Sequence, residues 1–219
     1  MNAKENSRIS FNHQAAVYDT TRYGAHARRL YRSILERVVS LQGISSLLDV
    51  GCGTGEMLYL IRSRCPAMNL YGIDISEKML DTARSNLGEK ASLFWGDAEY
   101  LPFDDGVFDL LICNDSFHHY PAPAKALSEF RRVLRPEGRL LISDYHVGFP
   151  LRQLMNLFIR FGRDGDVRIY SRKEIVHLLS EASFGDISYE SVHTTVVLLW
   201  GGRRNSEFYM LAHCATLHA

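Results

Sequence analysis

The chain lacks the features that would take it out of an ordinary globular setting. No stretch of about 18 uninterrupted apolar residues is present to cross a bilayer. The opening MNAKENSRIS is polar and has no apolar core of a secretory signal, so the cytoplasm is the expected compartment. Four cysteines, Cys52, Cys65, Cys113 and Cys214, are scattered without a CxxC pair, which indicates neither a disulfide framework nor a zinc site. Net charge is also missing: 25 basic side chains balance 25 acidic ones, leaving no excess to attract a nucleic-acid backbone. Repeats, low-complexity tracts and Gly/Ser linkers are absent from the 219 residues, a length that suits one domain.

What is present is a pattern. Beyond about residue 45, short apolar runs alternate with helical periodicity, which predicts βαβ units and an α/β, doubly wound, mainly parallel sheet. The candidate strands are SLLDV (46–50), LYGID (70–74), SLFWG (92–96), FDLLICN (108–114) and RLLISDY (139–145), mostly apolar on both faces and so expected to be buried on both. Met57, Leu60 and Ile61 share one helical face and Leu127, Phe130 and Leu134 another. Ser171 followed by Glu174 makes a capping box, and RPEG at 135–138 reads as a turn. ISYESV (187–192) and EFYMLAHC (207–214), separated by VVLLW and GGRRN, are expected to pair antiparallel at one edge. Residues 1–40 read as a helical cap and 146–170 as a lid-like segment of the same domain.

The chemistry concentrates at strand ends. LLDVGCGTGEM (47–57) puts Gly51, Gly53 and Gly55 between a strand and a helix, where backbone N–H groups can meet a ligand. The dinucleotide fingerprint GxGxxG is broken, because its sixth position is Glu56. About twenty residues on, Asp74 is placed to accept hydrogen bonds from both hydroxyls of a ribose. Asp97, after the third strand in WGDAEYLPF, can accept from an adenine amino group while the Ala98 backbone meets the ring edge.

In this order and spacing DVGCGTG, GIDIS, GDAEYLPFDDGVFDLL and LRPEGRLLISD resemble the class I S-adenosylmethionine-dependent methyltransferases, the small-molecule branch with ubiquinone and menaquinone C-methyltransferases above all. The resemblance covers roughly residues 11–145. It implies a Rossmann-like seven-stranded sheet with an antiparallel C-terminal strand, S-adenosyl-L-methionine as cofactor, and methyl transfer to a small-molecule acceptor. It also implies roles: Asp49, Gly51, Cys52 and Gly53 for the methionine part, Asp74 for the ribose, Ile75 and Met79 for the adenine face, Asp97 and Ala98 for its edge. Asn114 would meet the methionine amino group, and FNHQAAVYD (11–19) would fold over the cofactor with Tyr18 facing it. A nicotinamide oxidoreductase and a catalytically idle cofactor-binding module are the competing readings.

The heptapeptide NDSFHHY (114–120) leaves the fourth strand, and Asp144 to His146 leave the fifth; both are expected to face the sulfonium. His118 and His119 are the candidate catalytic residues, with His118 favoured, against a scaffold role for either. No metal is expected: adjacent side chains on a helical turn diverge by about 100°, HxxxH spacing is missing, and Asp115 with His119 makes at most two ligands. Leu151, Leu154, Met155, Phe158 and Phe161 recur at helical spacing among Arg152, Arg160 and Arg163. This reads as a helix docked on the sheet or as an apolar lid over a hydrophobic or anionic acceptor, and a basic amphipathic helix of this kind can also touch a membrane surface. The sequence does not define an oligomeric state.

Overall fold

The computed structural model describes residues 2–21, 24–159, 162, 165–191, 196–203 and 211–212. Five parallel strands form the centre: β1 (Ser46–Val50), β2 (Asn69–Asp74), β3 (Ser92–Trp95), β4 (Phe108–Asn114) and β5 (Leu134–Tyr145), in spatial order β3-β2-β1-β4-β5. This is the doubly wound, Rossmann-like arrangement. Beyond β5 the order continues with β7 (Val196–Arg203), β6 (Phe184–Ser191) and the two-residue β8 (Leu211–Ala212). β7 runs antiparallel to both β5 and β6, and β8 pairs parallel to β6.

Three details differ from the sequence-based expectation. Among the described residues the sheet holds eight strands rather than seven. VVLLWGGR, expected to lie between the last two strands, is itself the strand beside β5, because its apolar residues suit a sheet interior; most of 207–214 lies outside the described residues. RPEG belongs to the start of β5, where Phe108 pairs with Leu134 but Leu110 already pairs with Arg139, so 135–138 bulge out of register.

Strand alternation divides the core between the two faces. Leu47, Leu110, Ile112 and Leu141 point to a layer made by α2 (Ala25–Ser40), α3 (Glu56–Arg64) and α4 (Glu77–Leu87), through Leu30, Ile34, Met57, Ile61, Leu80 and Leu87. Leu48, Val50, Leu111, Cys113, Leu140 and Ile142 point the other way. They pack on Leu127 and Phe130 of α5 (Pro123–Val133) and on Ile175 and Leu179 of α7 (Arg172–Glu181). The period-two pattern of each strand thus meets the 3.6-residue stripe of each helix. The Ser171–Glu174 capping box opens α7 as expected.

Two helices lie outside the alternating pattern, and α1 (Ala3–Gln14) lines a crevice at the strand carboxyl ends through Lys4, Ser7 and Phe11. It is bolted to the start of α4: the Arg8 guanidinium donates to both Glu77 oxygens at 3.1 Å, and Asn12 Oδ1 accepts from Ser76 Oγ at 2.8 Å and Lys78 N at 3.1 Å. α6 (Leu151–Phe158) wears its amphipathic pattern outward. Arg152 is paired with Glu174 at 2.7 Å, and Asn156 exchanges two hydrogen bonds with the Ile169 backbone, while Leu154 and Phe158 are 54% and 60% exposed. It is held to the body by polar groups and not by the apolar face that the docked-helix reading assigned. No described helix is long and apolar enough to cross a membrane.

Truncating Phe130 to alanine removes a fully buried ring from the α5 face. Urea denaturation of Phe130→Ala is expected to show a loss of about 3–5 kcal/mol.

Candidate active site

β1 has β2 on one side and β4 on the other, so the helices after β1 and β4 leave toward opposite faces and open a crevice at the strand carboxyl ends. The crevice encloses about 920 Å³. Tyr18, Asp49, Gly51, Cys52, Gly53, Asp74, Ile75, Met79, Asp97, Ala98 and Asn114, the residues expected to hold a cofactor, all line it.

Backbone geometry explains the glycine loop. Gly51 N and Cys52 N donate to Ile73 O at 2.8 and 3.1 Å, and Gly53 N donates to Asp74 Oδ2 at 2.8 Å, folding the loop over the end of β2. Gly51 has φ +77°, and a Cβ there would sit 2.2 Å from Ser116 Oγ. Gly53, at φ +53°, has nothing within 4 Å of a Cβ position, so its backbone is open to a ligand.

The electrostatics of the crevice are those of a cation site. Asp49 is 2% exposed, and its Oδ1 has no hydrogen-bond partner among the described residues. Burial first, and the nearby Asp74 carboxylate second, push its pKa up to about 8. Asp74 is also raised by burial, against the backbone N–H groups of Ser76, Gly53 and Ile75 that stabilise its anion. A buried carboxylate beside a second, half-buried one is costly unless a cation joins them. Asp97 receives Lys4 Nζ at 2.6 Å and Glu99 N at 2.9 Å. α1 therefore closes the Asp97 end of the crevice with a lysine.

Sequence reasoning did not single out Lys4, Ser7, Tyr31 or Thr54, all of which line the crevice. The spacing of Lys4, Ser7 and Phe11 on one helical face was an available signal, but nothing local says which surface that face covers. Thr54 Oγ1 donates to Asp19 Oδ1 at 2.7 Å, tying the segment after α1 to the glycine loop.

NDSFHHY follows β4 at the edge of the crevice. Phe117–His119 form one 3-10 turn, which aims the two histidines differently. His119 lines the cofactor crevice and meets Phe11 edge-to-face at 5.1 Å, whereas His118 lines a second, smaller cavity of about 330 Å³ with Asp144, Tyr145 and Tyr170. The preference for His118 is thereby reversed in geometry. Asp144 and Tyr145 likewise line the second cavity and not the cofactor crevice, because Asp144 is spent on His118: its Oδ1 lies 2.6 Å from Nδ1, and its Oδ2 accepts from His118 N at 2.9 Å. His146 lines neither cavity.

The reasoning that limited metal ligands to two also needs correction. The His118 and His119 ring centroids are only 4.0 Å apart, and Asp166, from the segment after α6, brings its Oδ1 to 3.1 Å from His119 Nδ1 and 3.5 Å from His118 Nε2. No local pattern marked Asp166. Burial works to lower His118, but the Asp144 carboxylate prevails and raises it to about 9. Burial and the neighbouring His118 charge hold His119 well below the usual histidine range. Asp115, at φ +52°, is pushed up to about 6 by burial against the pull of His118.

Comparison with known proteins agrees with this geometry. A methyltransferase domain family matches residues 48–142. The malonyl-[acyl-carrier protein] O-methyltransferase of Geobacter sulfurreducens is 32% identical over 193 residues, 82% of this chain and 70% of that protein. The demethylmenaquinone methyltransferase of Lactococcus lactis is 34% identical over 58% of this chain and 52% of its own length. Among solved structures, PigF with SAH superposes with a TM-score of 0.74 at 20% identity, over 93% of this chain and 63% of that one.

A crevice with buried acids, a glycine loop and an adenosine-type acid at each successive strand end defines a class I methyltransferase site. The chain belongs to the S-adenosylmethionine-dependent methyltransferases, and S-adenosylmethionine is its cofactor. The nicotinamide reading is set aside. The cofactor supplies a methyl group on a sulfonium that becomes a neutral thioether on transfer. The buried Asp49, whose Oδ1 has no hydrogen-bond partner among the described residues, fits a ligand that carries positive charge.

Asp49→Asn separates binding from stability. In the unfolded chain the carboxyl ionises near pH 3.9; in the empty protein it does so near 8. Folding stability therefore falls as pH rises through that window, and the amide removes the penalty. At neutral pH the variant is expected to have a higher Tm than the parent, while calorimetry shows S-adenosylmethionine affinity reduced by about 1.5–3 kcal/mol. A lower Tm with unchanged affinity contradicts this assignment.

Proposed function

We propose that the chain is a cytoplasmic enzyme that methylates a small-molecule acceptor, acting as one domain with residues 1–40 as cap and 146–170 as lid. The observation that carries this is the division of the carboxyl edge. The eleven residues expected to bind the cofactor line one crevice, and the turn after β4 adds a polar stretch of wall to it: half-buried Asp115, Ser116 and Tyr120 around the buried His119. In this reading the acceptor enters against that wall. The crevice is roofed by Phe11 of α1 and lies beside the segment that carries Asp166, which leaves room for a compact molecule rather than a folded macromolecule.

In-line methyl transfer asks mainly for alignment, and holding the two partners in a near-attack arrangement supplies about 7–11 kcal/mol. A hydroxyl, an acidic carbon or a protonated amine must also lose a proton. Of the two candidate histidines, His119 is the one in contact with the acceptor, and His118, fixed by Asp144, acts through it. The outward apolar face of α6 supports a hydrophobic acceptor delivered from that side. The malonyl-carrier and menaquinone relatives act on different acceptors by name, so the acceptor is left to experiment.

A screen of small acceptors that detects S-adenosylhomocysteine tests this reading. Turnover is expected with at least one acceptor, and His119→Asn is expected to lower kcat by about 10²- to 10⁴-fold with cofactor affinity preserved. His118→Asn should lower it less. Binding of S-adenosylmethionine without turnover by any acceptor favours the idle-module reading, and equal rates for parent and His119→Asn remove His119 from the chemistry.

A further inference from the structure

Asp97 stands at the outer flank of the crevice. β3, which leads to it, is the outermost strand among the described residues and pairs with β2 alone, so no further strand braces the loop that follows. That loop closes partly on itself: Asp97 Oδ1 accepts from Glu99 N at 2.9 Å, and the Asp97 carbonyl accepts from Tyr100 N at 2.9 Å. The other carboxylate oxygen is held from outside. Lys4 Nζ of α1 donates to Asp97 Oδ2 at 2.6 Å and to Glu99 Oε2 at 2.5 Å. One ammonium thus holds the carboxylates on both sides of Ala98, and all three of Lys4, Asp97 and Ala98 line the crevice.

The lysine is placed for this contact and not for its own helix. It lies in the first turn of α1, where the positive end of the helix dipole disfavours a cation. Burial works against its charge, but the hydrogen bonds to Asp97 and Glu99 prevail and raise its pKa above the usual lysine value. Glu99 in turn needs a counter-charge, being 5% exposed, and its second oxygen accepts from Ala122 N at 2.9 Å. α1 is aimed by independent fixings: Asn2 caps it by accepting from Glu5 N, Arg8 and Asn12 hold it to α4, and Ser7 Oγ donates to the Gly165 carbonyl.

We propose that Lys4 is a positioning residue for the cofactor's purine: by fixing Asp97 Oδ2 and Glu99 it sets the Asp97 carboxylate and the Ala98 backbone where the 6-amino group of adenine is recognised. The inference rests on the reading of Asp97 and Ala98 as the adenine edge and places the control of that edge in α1. An ionised carboxylate offers about four lone-pair positions, and Lys4 and Glu99 N fill one on each oxygen, so the others stay open to an amino group. Through Glu99 the same ammonium also braces Ala122, two residues beyond Tyr120 in the crevice wall. Recognition of the purine thereby depends on the docking of the cap helix.

The test compares, by calorimetry, S-adenosylhomocysteine with its analogue in which hydrogen replaces the purine 6-amino group. The parent is expected to bind the amino compound about 10-fold or more tightly than the analogue, as for a hydrogen bond to a charged group. In Lys4→Met the affinity for S-adenosylhomocysteine is expected to fall about 10-fold while that for the analogue falls less than about 2-fold, so the preference collapses. Lys4→Arg, which keeps the charge, is expected to retain it. Equal losses on both compounds make Lys4 a support of the fold alone and overturn the proposal, as does a preference unchanged in Lys4→Met. Thermal unfolding reports whether Lys4→Met is folded; if it is not, Lys4→Gln, which keeps a donor without the charge, is read by the same criterion. A parent that does not distinguish the two compounds overturns the role of Asp97 on which the inference rests, and one that binds neither overturns the cofactor assignment.

Discussion

The structure turns on an unresolved charge: Asp49, buried at the end of β1 with one oxygen unpartnered, next to Asp74 at the end of β2. A protein core does not keep such a pair for stability, since each buried anion works against folding. Their neighbours are arranged around this cost. The glycine loop donates backbone N–H to Asp74 and leaves Asp49 Oδ1 without a hydrogen-bond partner among the described residues, and Tyr18 and Tyr31, which line the same crevice, are pushed up by burial and by surrounding carboxylates. The site is finished by a positively charged ligand rather than by a side chain. That is the physical meaning of a sulfonium cofactor in this fold.

The cap and the acceptor wall are linked through the same frame. α1 reaches Asp97 and Glu99 through Lys4, the start of α4 through Arg8 and Asn12, and the far side of the crevice through Ser7, which donates to the Gly165 carbonyl at 3.4 Å. Gly165 in turn holds His119, and the next residue is Asp166. One helix therefore touches both ends of the crevice. His119, packed edge-on to Phe11, is the point where they meet.

Much of the cofactor half was legible in the sequence because its determinants are local. A strand, a tight turn and a helix put Gly51, Gly53, Asp74 and Asp97 at successive strand ends, and any parallel sheet carries those ends to one edge. The five central strands were legible for a similar reason, being apolar on both faces. What was not legible depends on distant pairing. Asp166 joins the histidines because the next two residues, Val167 and Arg168, donate their backbone N–H groups to the His118 carbonyl, and no spacing rule connects residues 118 and 166. The choice between His118 and His119 depended on a 3-10 turn and on Asp144 claiming one ring. α6 misled because its hydrophobic stripe suggested docking, whereas Arg152 and Asn156, ordinary polar residues in the sequence, make the attachments.

The central claim is that the cofactor's positive charge replaces a proton on the buried acids of β1 and β2. It is tested most directly by calorimetric titration of S-adenosylmethionine near pH 7 in buffers of different ionisation enthalpy. With Asp49 titrating near 8 in the empty protein, the account predicts that binding releases about one proton and tightens as pH rises toward 8. A binding enthalpy independent of buffer, with affinity flat across that range, would contradict it.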